Sequence, residues 1–466
     1  MKQKTDWSGA RRWLTIIVDV ALFNFSMWFS FYLRFWPQIP DRNLYTYERS
    51  AVYISALFLL VNFLIGVYVY YNRRISDIVF NTVLGQGVTI LGLTMITFIG
   101  RWFAFPRTIL AISFLVSVVA LSSYRVLVYY LYVHFTADKH VAVVSYTEEL
   151  PSILENFDSA KNNKHKVTYV ITDHFVENAK KILDKVDIFY LTTSLSDNQR
   201  REIIDMVIKK EKHIMLPSTF DNLLMLRPNM MNFEDESIMG ISEFRITAED
   251  AAVKRFFDIL LSLILLVVTS PLMLITAILV KTTSRGPIIY KQTRITLNQR
   301  EFKIYKFRTM KADAEAKTGP ELAKEHDPRI TSVGKYLRKF RLDELPQIFN
   351  VLKGDMSIVG PRPERPFFVN QFNREDNHYY LRHNVRAGIT GYAQVYGKYA
   401  SDYHSKLKFD LLYIKAYSIF LDFRILFQTV KILFDKVSSQ GLDEDATPKM
   451  AKLHEIVVDQ DIKHLD

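Results

Sequence analysis

A short basic stub leads into a long apolar stretch from Trp13 to about Phe35, and further apolar runs follow near 51–71, 80–100 and 108–132. Each is close to the ~20 residues a helix needs to cross the hydrocarbon of a bilayer, so the pattern predicts four membrane helices within residues 1–136. The first run is too long and too aromatic for a cleaved signal and reads as a retained anchor. Trp13, Trp36, Tyr70, Tyr71, Trp102, Tyr129 and Tyr130 stand near the ends of the runs, where amphipathic rings suit the membrane boundary. Lys2, Lys4, Arg11 and Arg12 before the first run, with Arg73 and Arg74 after the second, set these ends on the cytoplasmic side, although Arg101 and Arg107 then lie outside. An even number of spans returns the chain to the cytoplasm near residue 136. Asp19, inside the first span, is read as a structural group reaching Arg12 or water.

The pattern changes over residues 137–220 to short β-branched segments alternating with amphipathic helical stretches: "HVAVVSY", "KVTYVIT", "VDIFYLT" and "HIMLP". That alternation predicts a parallel, Rossmann-like sheet covered by helices. The first strand runs into "SYTEEL", with no glycine to bring backbone amides against a pyrophosphate. The module is therefore expected to regulate or assemble rather than to hold a cofactor. Residues 221–250 read as a connector and 441–466 as a loosely held, charged tail.

A fifth apolar run, Ile259 to Val280, is long enough to span. Lys254 and Arg255 before it and Lys281 and Arg285 after it give both ends a cytoplasmic preference. Pro271, at its middle, removes one helix hydrogen bond, and Ser270 is placed to satisfy the freed group. The preferred expectation is a re-entrant helix hairpin broken at Ser270-Pro271, which keeps the rest of the chain in the cytoplasm. A kinked spanning helix is the alternative.

Composition sharpens this picture. Hydrophobic residues make up 49% of the 466, aromatics 14%, and the net charge is +11, which suits anionic lipid, a phosphorylated substrate or nucleic acid. With no cysteine, disulfides and thiolate metal sites are excluded. Much of the positive charge lies between Lys281 and Lys311: Lys281, Arg285, Lys291, Arg294, Arg300, Lys303, Lys306, Arg308 and Lys311 face one acid, Glu301. Part of this cluster serves as a skirt for lipid headgroups. Arg294, Lys306 and Arg308 are taken as substrate-binding candidates.

In "RLDELPQIFNVLKGDMSIVGPRPE", residues 341–364, Pro346 starts a helix that stops at Gly354, so Asp343 and Glu344 stand just before a helix N-terminus. Negative charge is favoured there, by the dipole and by free amides, whether as a simple cap or as a reactive carboxylate beside a phosphate. Arg338, Arg341 and Arg362 are near enough in sequence to relieve charge. Prolines on both sides of Arg362 restrict its backbone.

From about Lys254 to Phe434 the sequence resembles the bacterial sugar transferases, monotopic polyprenyl-phosphate hexose-1-phosphate transferases. The likeness rests on "KRFFD", "TSP", "GPIIYKQTRITLNQREFKIYKFRTM", "LRKFRLDELPQIFNVLKGDMSIVGPRPE", "RHNVRAGITGYAQVYGK" and "FDLLYIKAYSIFLDFRILFQT". It implies a membrane protein of α plus α/β class: a four-helix transmembrane bundle, the Rossmann-like module, and a catalytic domain with the re-entrant helix over 251–440. It implies that Asp343 attacks the β-phosphate of a UDP-hexose, expels UMP and passes the phosphosugar to undecaprenyl phosphate, beginning exopolysaccharide or capsule repeat units. Glu344 would bind Mg2+ with Asp343 or handle a proton. Arg338 and Arg362 would hold phosphates, and Asp410 would be a further polar site residue. Ser270 and Pro271 would make the membrane break. His383 is read equally as a phosphate or nucleotide contact and as a buried histidine. UDP-hexose, undecaprenyl phosphate and membrane lipid are the expected partners, with no nucleic acid and with self-association expected; the setting is the bacterial inner membrane. The chain departs from the family pattern at Phe340 and Arg341, where small hydroxylated residues are usual, at Ala387 for proline and at Tyr392 for tryptophan. A membrane-bound nucleotide-sugar dehydratase or epimerase would need the missing glycine-rich turn. A non-enzymatic scaffold gives no reason for the acid pair.

Overall fold

The computed structural model describes residues 9–69, 74–99, 106–158, 164–241, 243–310, 329–397, 402–434, 455–459 and 462–465. Lys2, Lys4, Tyr70, Tyr71, Arg73, Arg101, Trp102, Lys311 and most of the tail from Gly441 lie outside the described residues. The chain divides into two units, Met1–Pro217 with Pro448–Asp466, and Ser218–Thr447.

In the first unit, α1 (Gly9–Phe35), α2 (Asp41–Ile65), α3 (Ile75–Ile99) and α4 (Arg107–Phe135) occupy the four expected apolar runs. Each is long and apolar enough to cross a membrane. Every one of them sends a polar side chain to a single buried cluster. Arg125 of α4 donates to Asp19 of α1 at 2.6 Å, to Asn62 of α2 at 2.9 Å and to Thr82 of α3 at 3.0 Å. Asp19 and Arg125 are fully buried. The expectation that Asp19 reaches Arg12 or water is thus corrected: its partner is Arg125. A carboxylate in a low-dielectric interior needs a neutralising neighbour, and the guanidinium fork satisfies the whole cluster at once.

Behind the helices come β1 (Lys139–Val144), α5 (Leu150–Asp158), β2 (His165–Ile171), α6 (Phe175–Ile182), β3 (Ile188–Leu191), α7 (Asp197–Lys209) and β4 (His213–Met215). The strands pair in parallel in the order β2-β1-β3-β4. Their apolar faces, with Ala142, Val144 and Phe189, pack on α6 and α7 through Phe175, Ile182, Ile203 and Val207. Past the end of β1, Ser145 and Ser194 both donate to the Glu149 carboxylate, at 3.2 and 3.0 Å. Hydroxyls and an acid line the place where a dinucleotide fold would set glycine amides.

The second unit begins with α8 (Phe220–Leu224) and an exposed antiparallel hairpin, β5 (Asn229–Phe233) and β6 (Glu236–Gly240). The segment expected to be a connector is part of this unit: Leu223 and Phe244 are buried in its core, and the Phe220 ring stacks on His378 at 3.7 Å. Next is α9 (Ala248–Thr283), 36 residues, also long and apolar enough to span. Helix continues through Ser270 and Pro271, so the two arms of the expected hairpin are one hydrogen-bonded element. Ser270 Oγ donates to the Val267 carbonyl at 2.9 Å, the acceptor that the missing N–H of Pro271 leaves open.

Both ends of α9 dock on the same unit. Near its start, Lys254 pairs with Asp422 at 2.5 Å, Arg255 donates to the Val351 carbonyl at 2.7 Å, and Asp258 accepts from Ser357 Oγ and Ile358 N, each at 3.0 Å. Near its end, Val280 packs with Phe307 and Leu337. Between the buried Ser262 and Thr276 stand exposed apolar side chains, among them Leu263, Ile264, Val267, Val268, Leu274 and Ile275.

The hairpin β7 (Ile289–Ile295) and β8 (Glu301–Phe307) follows, in register from Ile289 opposite Phe307 to Ile295 opposite Glu301. Then come α10 (Ser332–Lys339), a 3-10 turn at Leu342–Glu344, α11 (Gln347–Lys353), β9 (Ser357–Val359) and α12 (Pro366–Glu375). A second 3-10 segment, Tyr379–Asn384, leads to β10 (Gly388–Thr390), which pairs in parallel with β9. The unit closes with α13 (Tyr392–Tyr396), α14 (Tyr403–Lys415) and α15 (Ile419–Phe434). The charged tail holds two more strands, β11 (Glu455–Asp459) and β12 (Ile462–Leu465). They return to the first unit, where β12 runs antiparallel along β2 and pairs His464 with Tyr169.

Candidate functional site

Asp343 and Glu344 share the 3-10 turn between α10 and α11. Leu342 and Leu345, on either side of them, are fixed against the Val280, Phe307 and Leu337 cluster at the end of α9. After the turn, Pro346 precedes α11, and Gly354 ends that helix at φ 88°, a left-handed conformation that glycine takes without strain.

Glu344 is held by cations. Its Oε1 accepts from Lys306 Nζ of β8 at 2.9 Å and from Arg362 at 3.3 Å. Burial works against its charge, yet Lys306, Arg362 and Arg341 together hold the carboxyl well below the usual range. Asp343 is the opposite case. Burial, with the Glu344 charge beside it, pushes its carboxyl up to about 6 against the pull of Lys306 and Arg338. Two adjacent acids thus carry different proton affinities, the mark of environments that divide their roles.

The strand-to-helix loop carrying Arg362 is pinned at four successive carbonyls. Pro361 O accepts from Gly388 N at 2.9 Å, Arg362 O from Arg382 at 3.0 Å, Pro363 O from Arg294 at 3.1 Å and Glu364 O from Ile295 N at 3.1 Å. Gly360 is required at its start, because a Cβ there would lie 2.3 Å from the Arg386 carbonyl oxygen. Arg382 in turn is buried, pairs with Asp410 at 2.8 Å and donates to the Tyr379 hydroxyl at 2.6 Å.

The sequence candidates therefore fall into separate places. Lys306, Arg338 and Arg362 surround the acid pair. Arg294 and Asp410 act on the Arg362 loop, Asp410 through Arg382; burial draws the Arg294 guanidinium down to about 10, with Glu364 opposing. Arg308 is turned to the end of α9, where it donates to Ser284 O at 2.7 Å and to Pro287 O at 2.6 Å. His383 is buried, and burial together with the Arg382 charge pushes it down to about 3, so it is neutral. Arg382 was missed; the only trace of its role in the sequence is its place in "LRHNV" beside His383.

Two carboxylates can contribute to a magnesium site, and no cluster of three or more His, Cys, Asp or Glu with metal-binding geometry occurs among the described residues. Mg2+ is commonly held by one or two carboxylates completed by water and phosphate oxygens. Asp343 and Glu344 fit that donor set.

A buried acid pair ringed by cations, next to the end of an apolar helix, defines a membrane-associated domain suited to anionic ligands. The profile of the family described as bacterial sugar transferase matches residues 249–436. The chain is 49% identical over 186 residues to the UDP-N-acetylgalactosamine-undecaprenyl-phosphate N-acetylgalactosaminephosphotransferase of Aeromonas hydrophila, a match covering 39% of this chain and 44% of that protein. It is 38% identical over 223 residues to the UDP-glucose:undecaprenyl-phosphate glucose-1-phosphate transferase of Klebsiella pneumoniae, covering 47% of each. It is 46% identical over 149 residues to a putative undecaprenyl-phosphate N-acetylgalactosaminyl 1-phosphate transferase of Bacillus subtilis (strain 168), covering 31% of this chain and 83% of that protein. The chain spans about half the length of the first two relatives and most of the third. It belongs to the bacterial sugar transferase family.

Proposed function

We propose that the protein moves a hexose-1-phosphate from a UDP-hexose to undecaprenyl phosphate at the bacterial inner membrane, as the first membrane step of exopolysaccharide or capsule repeat-unit assembly. The Asp343 carboxylate attacks the β-phosphorus, the bond from that phosphorus to the bridging oxygen breaks, and UMP leaves. A phosphate oxygen of undecaprenyl phosphate then attacks the same phosphorus and frees Asp343, giving the diphosphate-linked hexose. The observation that carries this reading is the division within the acid pair. Glu344 is locked in its charged form by Lys306 and Arg362, while Asp343 is buried, titrates near 6 and makes no ion pair among the described residues. A carboxylate partly stripped of water is a better nucleophile than a solvated one.

Within this proposal Asp343 and Glu344 would also hold Mg2+, which when bound supplies positive charge to the transferring phosphate. Arg362 and Arg338 orient phosphate oxygens, and the pinned loop keeps the Arg362 fork in place. The re-entrant course of α9 belongs to the same reading. Lys254 and Asp258 at one end and Val280 at the other contact one folded unit, and that unit lies on one side of a membrane. Self-association is part of the proposal too.

Incubation of the full-length protein with Mg2+ and a panel of UDP-hexoses should release UMP and leave a phosphohexose on the Asp343 peptide, seen by mass spectrometry. Asp343→Asn and Asp343→Ala should lower turnover by about a thousandfold or more. Ordinary turnover in both variants would rule out the covalent route.

A further inference from the structure

Arg341 stands in a conformation that its side chain does not favour. Its backbone is left-handed, at φ 52° and ψ 25°, immediately before the turn that carries the acid pair. Glycine, asparagine and aspartate adopt that region readily, whereas a long side chain there is strained. The backbone bond from Glu344 N to Arg341 O, 3.2 Å, fixes the turn and would form whatever the side chain. Strain kept where a smaller residue would relieve it points to a use for the side chain.

The charges around the turn indicate that use. Of four cations at the acid pair, Lys306 and Arg362 are bonded to Glu344 Oε1. Arg338 and Arg341 are half-buried, and among the described residues neither guanidinium has a hydrogen-bond acceptor. Both lie close enough to act electrostatically, Arg338 on Asp343 and Arg341 on Glu344. Four positive charges face two negative ones, so the site has an excess of two, which an anion of two phosphate charges would balance.

We infer that Arg341 is a phosphate-binding residue, which with Arg338 receives the phosphate oxygens of a substrate brought to Asp343. The assignment rests on the reaction proposed above for the substrate's identity but not for its test. The phosphate comes either from the nucleoside diphosphate of the donor or from the polyprenyl phosphate, and the two can be separated by direct binding.

The full-length protein in lipid nanodiscs is titrated with UDP and, separately, with farnesyl phosphate, as the wild type and as Arg341→Gly and Arg341→Lys. Arg341→Gly should raise the melting temperature by relieving the backbone while weakening one of the two ligands by about tenfold, the usual loss for one charge-assisted hydrogen bond. Arg341→Lys should recover part of that loss without the gain in melting temperature. Weakened UDP binding assigns Arg341 to the donor, and weakened farnesyl phosphate binding to the acceptor. Unchanged affinity for both in Arg341→Gly, or a wild type that binds neither, overturns the inference. If UDP binding depends on Arg341 while no UDP-hexose yields UMP, the transfer reaction is wrong and the inference stands.

Discussion

At the scale of single residues, the site turns on one carboxyl group whose proton is hard to remove. Folding raises Asp343 from an ordinary value near 3.8 to about 6, chiefly by burial. If its carboxylate is the nucleophile, single-turnover UMP release should climb with pH and level off once Asp343 is ionised, with a midpoint at or below pH 6 because a bound Mg2+ favours the charged carboxylate. The same shift predicts a stability effect of opposite direction. An acid that binds its proton more tightly when folded favours the fold below pH 4, and that contribution is lost as pH rises through 6. Asp343→Asn should therefore be more stable than wild type at pH 8, by on the order of 3 kcal/mol, with the gain vanishing near pH 4. A variant that melts lower at pH 8 would mean that the carboxylate is stabilised where it stands. The position of Asp343 before a helix was legible in the sequence, because proline and glycine bracket α11. The purposes of Arg308 and Arg294 were not, since the carbonyls they hold lie 24 and 69 residues away in the chain.

At the scale of elements, loop 360–364 and helix α9 each depend on partners distant in sequence. Arg382→Met would leave Asp410 without its counter-charge and free the Arg362 carbonyl. Breaking a buried pair costs about 3–5 kcal/mol, so this variant should melt well below wild type. The milder Arg382→Lys should keep the fold while losing rate through a looser Arg362. For α9, the absence of cysteine allows clean labelling: Val253→Cys and Thr283→Cys should both react with an impermeant thiol reagent from the same side of the membrane. Reaction from opposite sides would establish a crossing helix. The apolar length of α9 and the strain relief by Ser270 could be read from the sequence alone. That proline leaves the helix continuous could not, because the outcome depends on which neighbours dock at its two ends. The hairpin β5–β6 and the tail strands escaped notice because their alternation is short and lies in polar surroundings.

At the scale of the whole molecule, four membrane helices and a parallel sheet precede the matched segment. Among their polar contacts, the one that involves all four helices is the cluster where Arg125 meets Asp19, Asn62 and Thr82. Arg125→Met should destabilise the bundle by about 3–5 kcal/mol, and adding Asp19→Leu should recover most of the loss, because the unpaired charge goes with it. Thermal unfolding in detergent would check both; a double variant no better than the single would assign the cost to packing instead. The apolar runs made the helices legible, but a pair 106 residues apart gives no local signal.

The exposed apolar side chains in the middle of α9, from Leu263 to Ile275, have a consequence for the route of a lipid substrate. If this part of α9 enters a single leaflet, a carrier lipid can approach sideways with its tail still among its neighbours, and its search is confined to a plane. Turnover would then follow the mole fraction of carrier in the bilayer, and diluting vesicles into more buffer would leave it unchanged.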